Sequence, residues 1–353
     1  MRIKLAILEE DQVYLSRIVT VFNTKYSDKF EIYSFTDENI AMATLCSMRI
    51  DVLIVSDSFE IDVQKLSRGC GFAYFTDSPD VETVNDQRAI CKFQKVDLIY
   101  RQILSIYSEN AGIVSGMKLG DDSTKVIAFS SPSGGVGTSS VAAACAVYYA
   151  KARKRVLYLN LEKFGAADYF FESEGQFGMS DIIYALRSKK ANLAIKFESC
   201  VKQDKSGVFF YSQAKIALDM LELKPDDIER LISEISLTGS YDYIIVDLDF
   251  SLSKEIINVY KKAHALVWVS DGSQTSNGKM ISAFNALNVM EQNAESPLMR
   301  RLALVYNKFS NKTGKTLAEI GIRSIGGAPR YEHATCAQVI EQLSNMVMFE
   351  KII

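Results

Sequence analysis

Short apolar runs rich in β-branched residues alternate with longer segments of helical period along the whole chain, which predicts βα units built around parallel sheets. Strands are expected near Lys4–Leu8, Glu31–Ser34, Asp51–Val55, Phe72–Phe75 and Ala89–Phe93, with helices between them and a last helix near Val96–Tyr107. That makes a small doubly wound domain of five strands and five helices over residues 1–107. From Ser108 to Thr124 neither period persists and three glycines interrupt the chain, so 108–124 is expected to be a linker. The alternation restarts at Lys125. Strands are expected near Val126–Ser130, Val156–Asn160, Val208–Tyr211, Tyr243–Asp247, Ala265–Ser270, Leu302–Tyr306 and Ser324–Gly326, giving a larger α/β domain over 125–353. Tyr243-Ile-Ile-Val-Asp247 is apolar without alternation, as a strand buried on both faces should be.

Length and composition agree with two folded domains: 353 residues with 48% apolar side chains exceed one typical domain and are too hydrophobic for a disordered chain. The formal charge is −3 with no basic tract, so no nucleic-acid partner is expected. Six scattered cysteines and two histidines leave no zinc cluster, CxxC redox motif or disulfide framework. The apolar stretch before Glu9 is too short for a signal peptide, and the longest apolar run, Val141–Ala150, is about half a membrane span. The tail from Cys336 to Ile353 carries one lysine and several apolar residues; it is predicted to be a closing core helix rather than a lipid-binding one. The expectation is a cytoplasmic protein without direct membrane insertion.

The densest chemical signal is Val126-Ile-Ala-Phe-Ser-Ser-Pro-Ser-Gly-Gly-Val-Gly-Thr-Ser-Ser140, followed by a helical, alanine-rich segment. A strand that enters a glycine-rich turn and opens a helix aims several backbone N–H groups and the positive end of a helix dipole at one point, which suits phosphate. Gly134, Gly135 and Gly137 permit positive φ and close approach, and the Ser139 hydroxyl stands where it could hold Mg²⁺.

This segment resembles the deviant Walker A loop of the MinD/ParA ATPases, KGGxGK[ST], written here Ser133-Gly134-Gly135-Val136-Gly137-Thr138-Ser139, with Ser140 next. The resemblance implies a P-loop NTPase fold with a mostly parallel sheet, ATP and Mg²⁺ as cofactors, and a homodimer formed through the nucleotide site. Ser133 and Thr138 stand where the family has lysines, which implies slow or absent hydrolysis. Asn160 and Glu162 resemble a degraded form of the pair that aligns the attacking water. Tyr243-Ile-Ile-Val-Asp247 resembles the Walker B strand, with Asp247 in the metal's shell. Asn307, after Leu304-Val-Tyr, resembles the residue that reads the adenine edge. A nicotinamide-binding Rossmann domain is the competing reading, since Gly135-Val-Gly137-Thr-Ser-Ser140 is a degraded GxGxxG and Glu162 could meet a ribose.

The first domain is similar to the flavodoxin/CheY-like receiver domains of response regulators. Glu9 and Glu10 match the acidic pair, Thr76 the hydroxyl and Lys95 the lysine, while Ser56 stands at the phosphoacceptor position. The implied reading is a receiver-like domain that is not phosphorylated and is used for docking. A receiver-like domain followed by a MinD/ParA-like domain resembles the CpaE/TadZ proteins of Tad-type pili. That resemblance implies positioning of pilus or secretion assembly proteins at a pole or secretion site. The alternatives are a scaffold that binds no nucleotide and an active ParA-like ATPase.

Overall fold

The computed structural model describes residues 2–67, 69–110, 124–165, 167–188, 192–292, 297–317 and 320–353. The chain divides into two compact units. Most of the expected linker, residues 111–123, lies outside the described residues.

The first unit carries β1 (Ile3–Leu8), α1 (Gln12–Lys25), β2 (Phe30–Phe35), α2 (Glu38–Ser47), β3 (Val52–Ser56), β4 (Gly71–Thr76), β5 (Thr83–Val84), β6 (Gln87–Cys91) and α3 (Val96–Asn110). Its sheet runs β2-β1-β3-β4-β6-β5, parallel except for the β5/β6 pair. Period-2 side chains explain the two-layered core. Leu5 and Ile7 pack with Ile18, Phe22 and Ile103 on one face, and Ala6 and Leu8 with Ala41 and Leu53 on the other.

Five helices were expected here, and three α-helices are found among the described residues. The β3-to-β4 crossing holds only a 3₁₀ turn at Val63–Lys65. The β4-to-β6 crossing holds β5, joined to β6 by Asn85 and Asp86, both at positive φ. A two-residue turn of that kind matches the strand twist, so it closes a hairpin where a helix was expected.

From Lys125 the chain carries β7 (Lys125–Ser130), α4 (Thr138–Lys151), β8 (Val156–Asn160), α5 (Ala167–Phe170), α6 (Met179–Ser188), α7 (Leu193–Cys200), β9 (Lys202–Gln203), β10 (Phe209–Phe210), α8 (Ala217–Leu221), α9 (Pro225–Leu237), β11 (Tyr243–Asp247), α10 (Lys254–Lys261), β12 (Ala265–Ser270), α11 (Gln274–Met290), β13 (Leu302–Phe309), β14 (Arg323–Pro329) and α12 (Cys336–Leu343), all in the second unit except Tyr184–Cys200. The strand order is β14-β13-β12-β7-β11-β8-β10-β9. Helix α4 is buried along Val141–Val147; its alanines leave room for α12 and the sheet on either side of it. The tail is not one long helix. It breaks after Leu343 and resumes as a 3₁₀ turn, Val347–Lys351, that seats Met348 and Phe349 in the core.

Residues 184–200 belong to the first unit, although their neighbours on both sides belong to the second. In that segment α7 packs along α3, burying the Lys196 ammonium against Ser105 Oγ at 2.9 Å and Glu109 Oε1 at 3.0 Å. Glu198 meets Lys29 and the Tyr100 hydroxyl.

Candidate functional site

Strand order brings the site together. β11 lies between β7 and β8, and its last residue, Asp247, is in register with Phe129 on one side and Asn160 on the other. In the nicotinamide-binding order the glycine-loop strand adjoins the next strand in sequence. Here β7 adjoins β11 and β12 instead, so the Rossmann alternative is set aside.

The glycine loop leaves β7 at Ser131. Ser131 Oγ donates to the Val269 carbonyl at 2.6 Å and accepts from Ser133 N at 3.0 Å, tying the loop to β12. Val136 is buried in the core, whereas Gly134 and Gly135 are exposed. Gly137, at φ +84°, ends the loop, and α4 begins at Thr138. A Cβ on Gly137 would lie 2.5 Å from Asn307 Nδ2, so glycine is required twice over, by conformation and by space. Asn307 is buried, and its amide donates to the Val136 carbonyl at 2.8 Å. It holds the loop from behind.

The loop borders a cavity of about 440 Å³ lined by Ser131, Ser133, Gly134, Gly135, Gly137, Thr138, Ser139, Ser140, Glu162, Asp249 and Lys308, with Phe164, Phe170, Leu248 and Phe250. That volume is in the range of small-ligand sites.

Ser139, Asn160, Glu162 and Asp247 form one hydrogen-bonded cluster. Ser139 Oγ donates to Glu162 Oε2 at 3.1 Å, and Asn160 Nδ2 to Glu162 Oε2 at 3.0 Å and Asp247 Oδ2 at 3.1 Å. The buried Tyr158 hydroxyl donates to the same Asp247 oxygen at 2.8 Å. The other oxygen, Oδ1, is buried with no hydrogen-bond partner among the described residues. Burial, and then the nearby charge of Glu162, raise the Asp247 pKa well above the carboxylate range.

A buried carboxylate oxygen with no donor is costly unless a proton or a cation meets it. The donor set of Asp247, Glu162 and Ser139 consists only of hard oxygens, so the site fits Mg²⁺. No group of three or more His, Cys, Asp or Glu capable of holding a metal occurs among the described residues. An ion here would need oxygens from a ligand as well.

In the first unit Glu9 is fully buried at the end of β1, and Asp11 N donates to its Oε1 at 3.1 Å. Glu10 is exposed, and Asp11 caps α1. Ser56 is buried at the end of β3, where its hydroxyl accepts from Ser58. Thr76 is buried and donates to the Ser78 carbonyl. The ammonium facing Glu9, at 3.4 Å, belongs to Lys92, which also pairs with Asp77 at 2.8 Å. Burial alone would lower the Lys92 pKa, but the Asp77 hydrogen bond and the Glu9 charge outweigh it and raise the pKa. Lys95 is exposed just before α3. Lys92 went unnoticed in the sequence because β6 ends at Cys91, two residues before the expected strand end.

Residues 1–108 match the family model described as TadZ-like, receiver domain. The first domain is thus similar to the TadZ-like receiver domains. The second unit has the fold of the ParA-type ATPases. A ParA family ATPase from Chlorobium tepidum TLS superposes with a TM-score of 0.52 at 21% identity, covering 66% of this chain and 97% of that one. A Borrelia burgdorferi plasmid partition protein (TM-score 0.49, 22% identity, 65% and 99% coverage) and the Pyrococcus horikoshii MinD bound to Mg-ADP (0.48, 15%, 63% and 94%) are also similar. Among curated proteins none matches. No helix among the described residues is long and apolar enough to cross a membrane.

Proposed function

We propose that the chain binds ATP with Mg²⁺ at the glycine loop, hydrolyses it slowly or not at all, and as a homodimer positions Tad-type pilus or secretion machinery. Its receiver domain docks the other assembly proteins and takes no phosphoryl group. The observation that carries the reading is the buried, unpartnered Asp247 Oδ1, in one hydrogen-bonded cluster with Ser139 and Glu162, both of which line the glycine-loop cavity. Asp247 and Ser139 are the groups that would hold the metal, and the N–H groups around Gly134–Ser139 and the start of α4 would hold phosphate oxygens. Bound Mg²⁺ supplies charge neutralisation for the phosphates.

Two features support low turnover. Ser133 and Thr138 bring no charge to the loop. The Asn160 amide is engaged as a donor to Glu162 and Asp247, and an amide cannot act as a base. An unphosphorylated receiver domain is supported by Ser56, which lacks the acceptor carboxylate, and by Lys92, which is already paired with Glu9 and Asp77.

Isothermal titration of the full chain with MgATP tests the reading, with Asp247→Ala as control. Binding by the unaltered chain that Asp247→Ala abolishes is expected, and no binding by either overturns the nucleotide site. Phosphate release at the rate of an intact ParA-type ATPase would overturn the low-turnover part. Intact mass after incubation with acetyl phosphate is expected to show no adduct.

A further inference from the structure

Lys308 follows Asn307 near the end of β13 and has φ +55°, the left-handed region that strains a residue carrying a side chain. The register of β13 against β14 shifts between Tyr306 and Phe309, a bulge of the kind that re-aims side chains beside functional sites. The result is specific. Lys308 Nζ donates to the Gly135 carbonyl at 2.8 Å, one peptide before the carbonyl held by Asn307. Its Cε would lie 3.4 Å from a Cβ on Gly137. Among the described residues lining the cavity, Lys308 is the single cation.

We propose that Lys308 is a positioning residue for phosphate, restoring from β13 part of the charge that the loop itself lacks at Ser133 and Thr138. The proposal rests on the nucleotide reading above. A peptide group is planar with its C=O and N–H pointing opposite ways. Donors from Lys308 and Asn307 pull the carbonyls of Gly135 and Val136 toward β13, which turns the N–H groups of Val136 and Gly137 away from it, as an anion cradle requires. An ammonium on the Gly135 carbonyl also polarises that peptide, strengthening its N–H as a donor. Backbone strain held in place at a residue that touches a binding loop is the pattern of preorganisation rather than of simple packing.

The test is titration of the full chain with MgATP, comparing Lys308→Gly, Lys308→Arg and the unaltered protein, together with the unfolding midpoint read from Trp268 fluorescence. Glycine accepts the left-handed backbone without strain, so Lys308→Gly is expected to keep its midpoint within about 2 °C while losing roughly 10-fold or more in ATP affinity, the scale of a charge-assisted hydrogen bond. Lys308→Arg is expected to bind within a few-fold of the unaltered chain, and the salt dependence of binding to flatten in Lys308→Gly. ATP affinity in Lys308→Gly within two-fold of the unaltered chain overturns the proposal while leaving the nucleotide site standing. An equal fall in midpoint and affinity that arginine fails to rescue also overturns it, marking Lys308 as a structural brace. No binding by the unaltered chain overturns both readings.

Discussion

Replacing the three loop glycines one at a time by alanine asks whether conformation and space, rather than glycine content, make the loop. Gly134 has no heavy atom within 4 Å of an added Cβ and no positive φ, so Gly134→Ala is expected to change stability by less than about 0.5 kcal/mol. Gly135 has equal room but φ +77°, so alanine there brings only the left-handed penalty, about 1–2 kcal/mol. At Gly137 φ is +84° and the Cβ would stand 2.5 Å from Asn307 Nδ2. The substitution adds to that penalty the displacement of the Asn307 bond to Val136, for a total of about 3 kcal/mol. For a unit of this size, that lowers the midpoint by roughly 6–12 °C. The assay is thermal or urea unfolding followed at Trp268, the chain's only tryptophan, which is fully buried in β12 of the same unit. Should Gly137→Ala unfold with Gly134→Ala, or Gly135→Ala fall outside the interval between them, the described loop geometry would be refuted.

Other substitutions separate the remaining claims. Asp247 holds its proton in the folded state to a higher pH than in the unfolded chain, so the metal-free protein is expected to lose stability as pH rises above about 4, where the unfolded carboxyl ionises; Asp247→Asn should flatten that profile at Trp268 and raise stability at pH 7, and a lowered neutral stability would contradict it. Lys92→Met leaves the buried Glu9 without its cation and is expected to destabilise the first unit by about 2–4 kcal/mol, while Lys95→Met stays within about 0.5 kcal/mol; urea unfolding followed by circular dichroism distinguishes them, and equal effects would count against the assigned pair. Glu109→Gln takes the carboxylate from the buried Lys196 ammonium and should cost about 2 kcal/mol, with much of the loss recovered in the Glu109→Gln, Lys196→Met double variant. A double variant no better than the single would show that the pair is not the source of the loss.

The βα order was legible because strands such as Val52–Ser56 and Tyr243–Asp247 are buried along their length and read as unbroken apolar runs. Ser133 to Ser140 was legible because glycines and hydroxyls at a strand-to-helix turn have few other uses. What was hidden depended on small displacements. The two-residue turn Asn85-Asp86 lacks the glycine that usually marks a hairpin, so the sequence around it does not announce the β5/β6 pair. A strand end misplaced by two residues pointed to Lys95 instead of Lys92. Lys308 was invisible, since neither a bulge nor a left-handed lysine leaves a periodic trace. Nor can periodicity show that α7 serves the first unit while its sequence neighbours serve the second.

That borrowed helix matters while the protein is being made. Residues through 110 leave the ribosome about 90 residues before α7 does, which at roughly 5–20 residues per second is a wait of about 5–20 s. During that interval α3 is without the helix that covers it, and Glu109 without Lys196. The first domain therefore reaches its finished form only after synthesis of the second is well under way, and a fragment ending at the linker stays permanently at the unfinished stage.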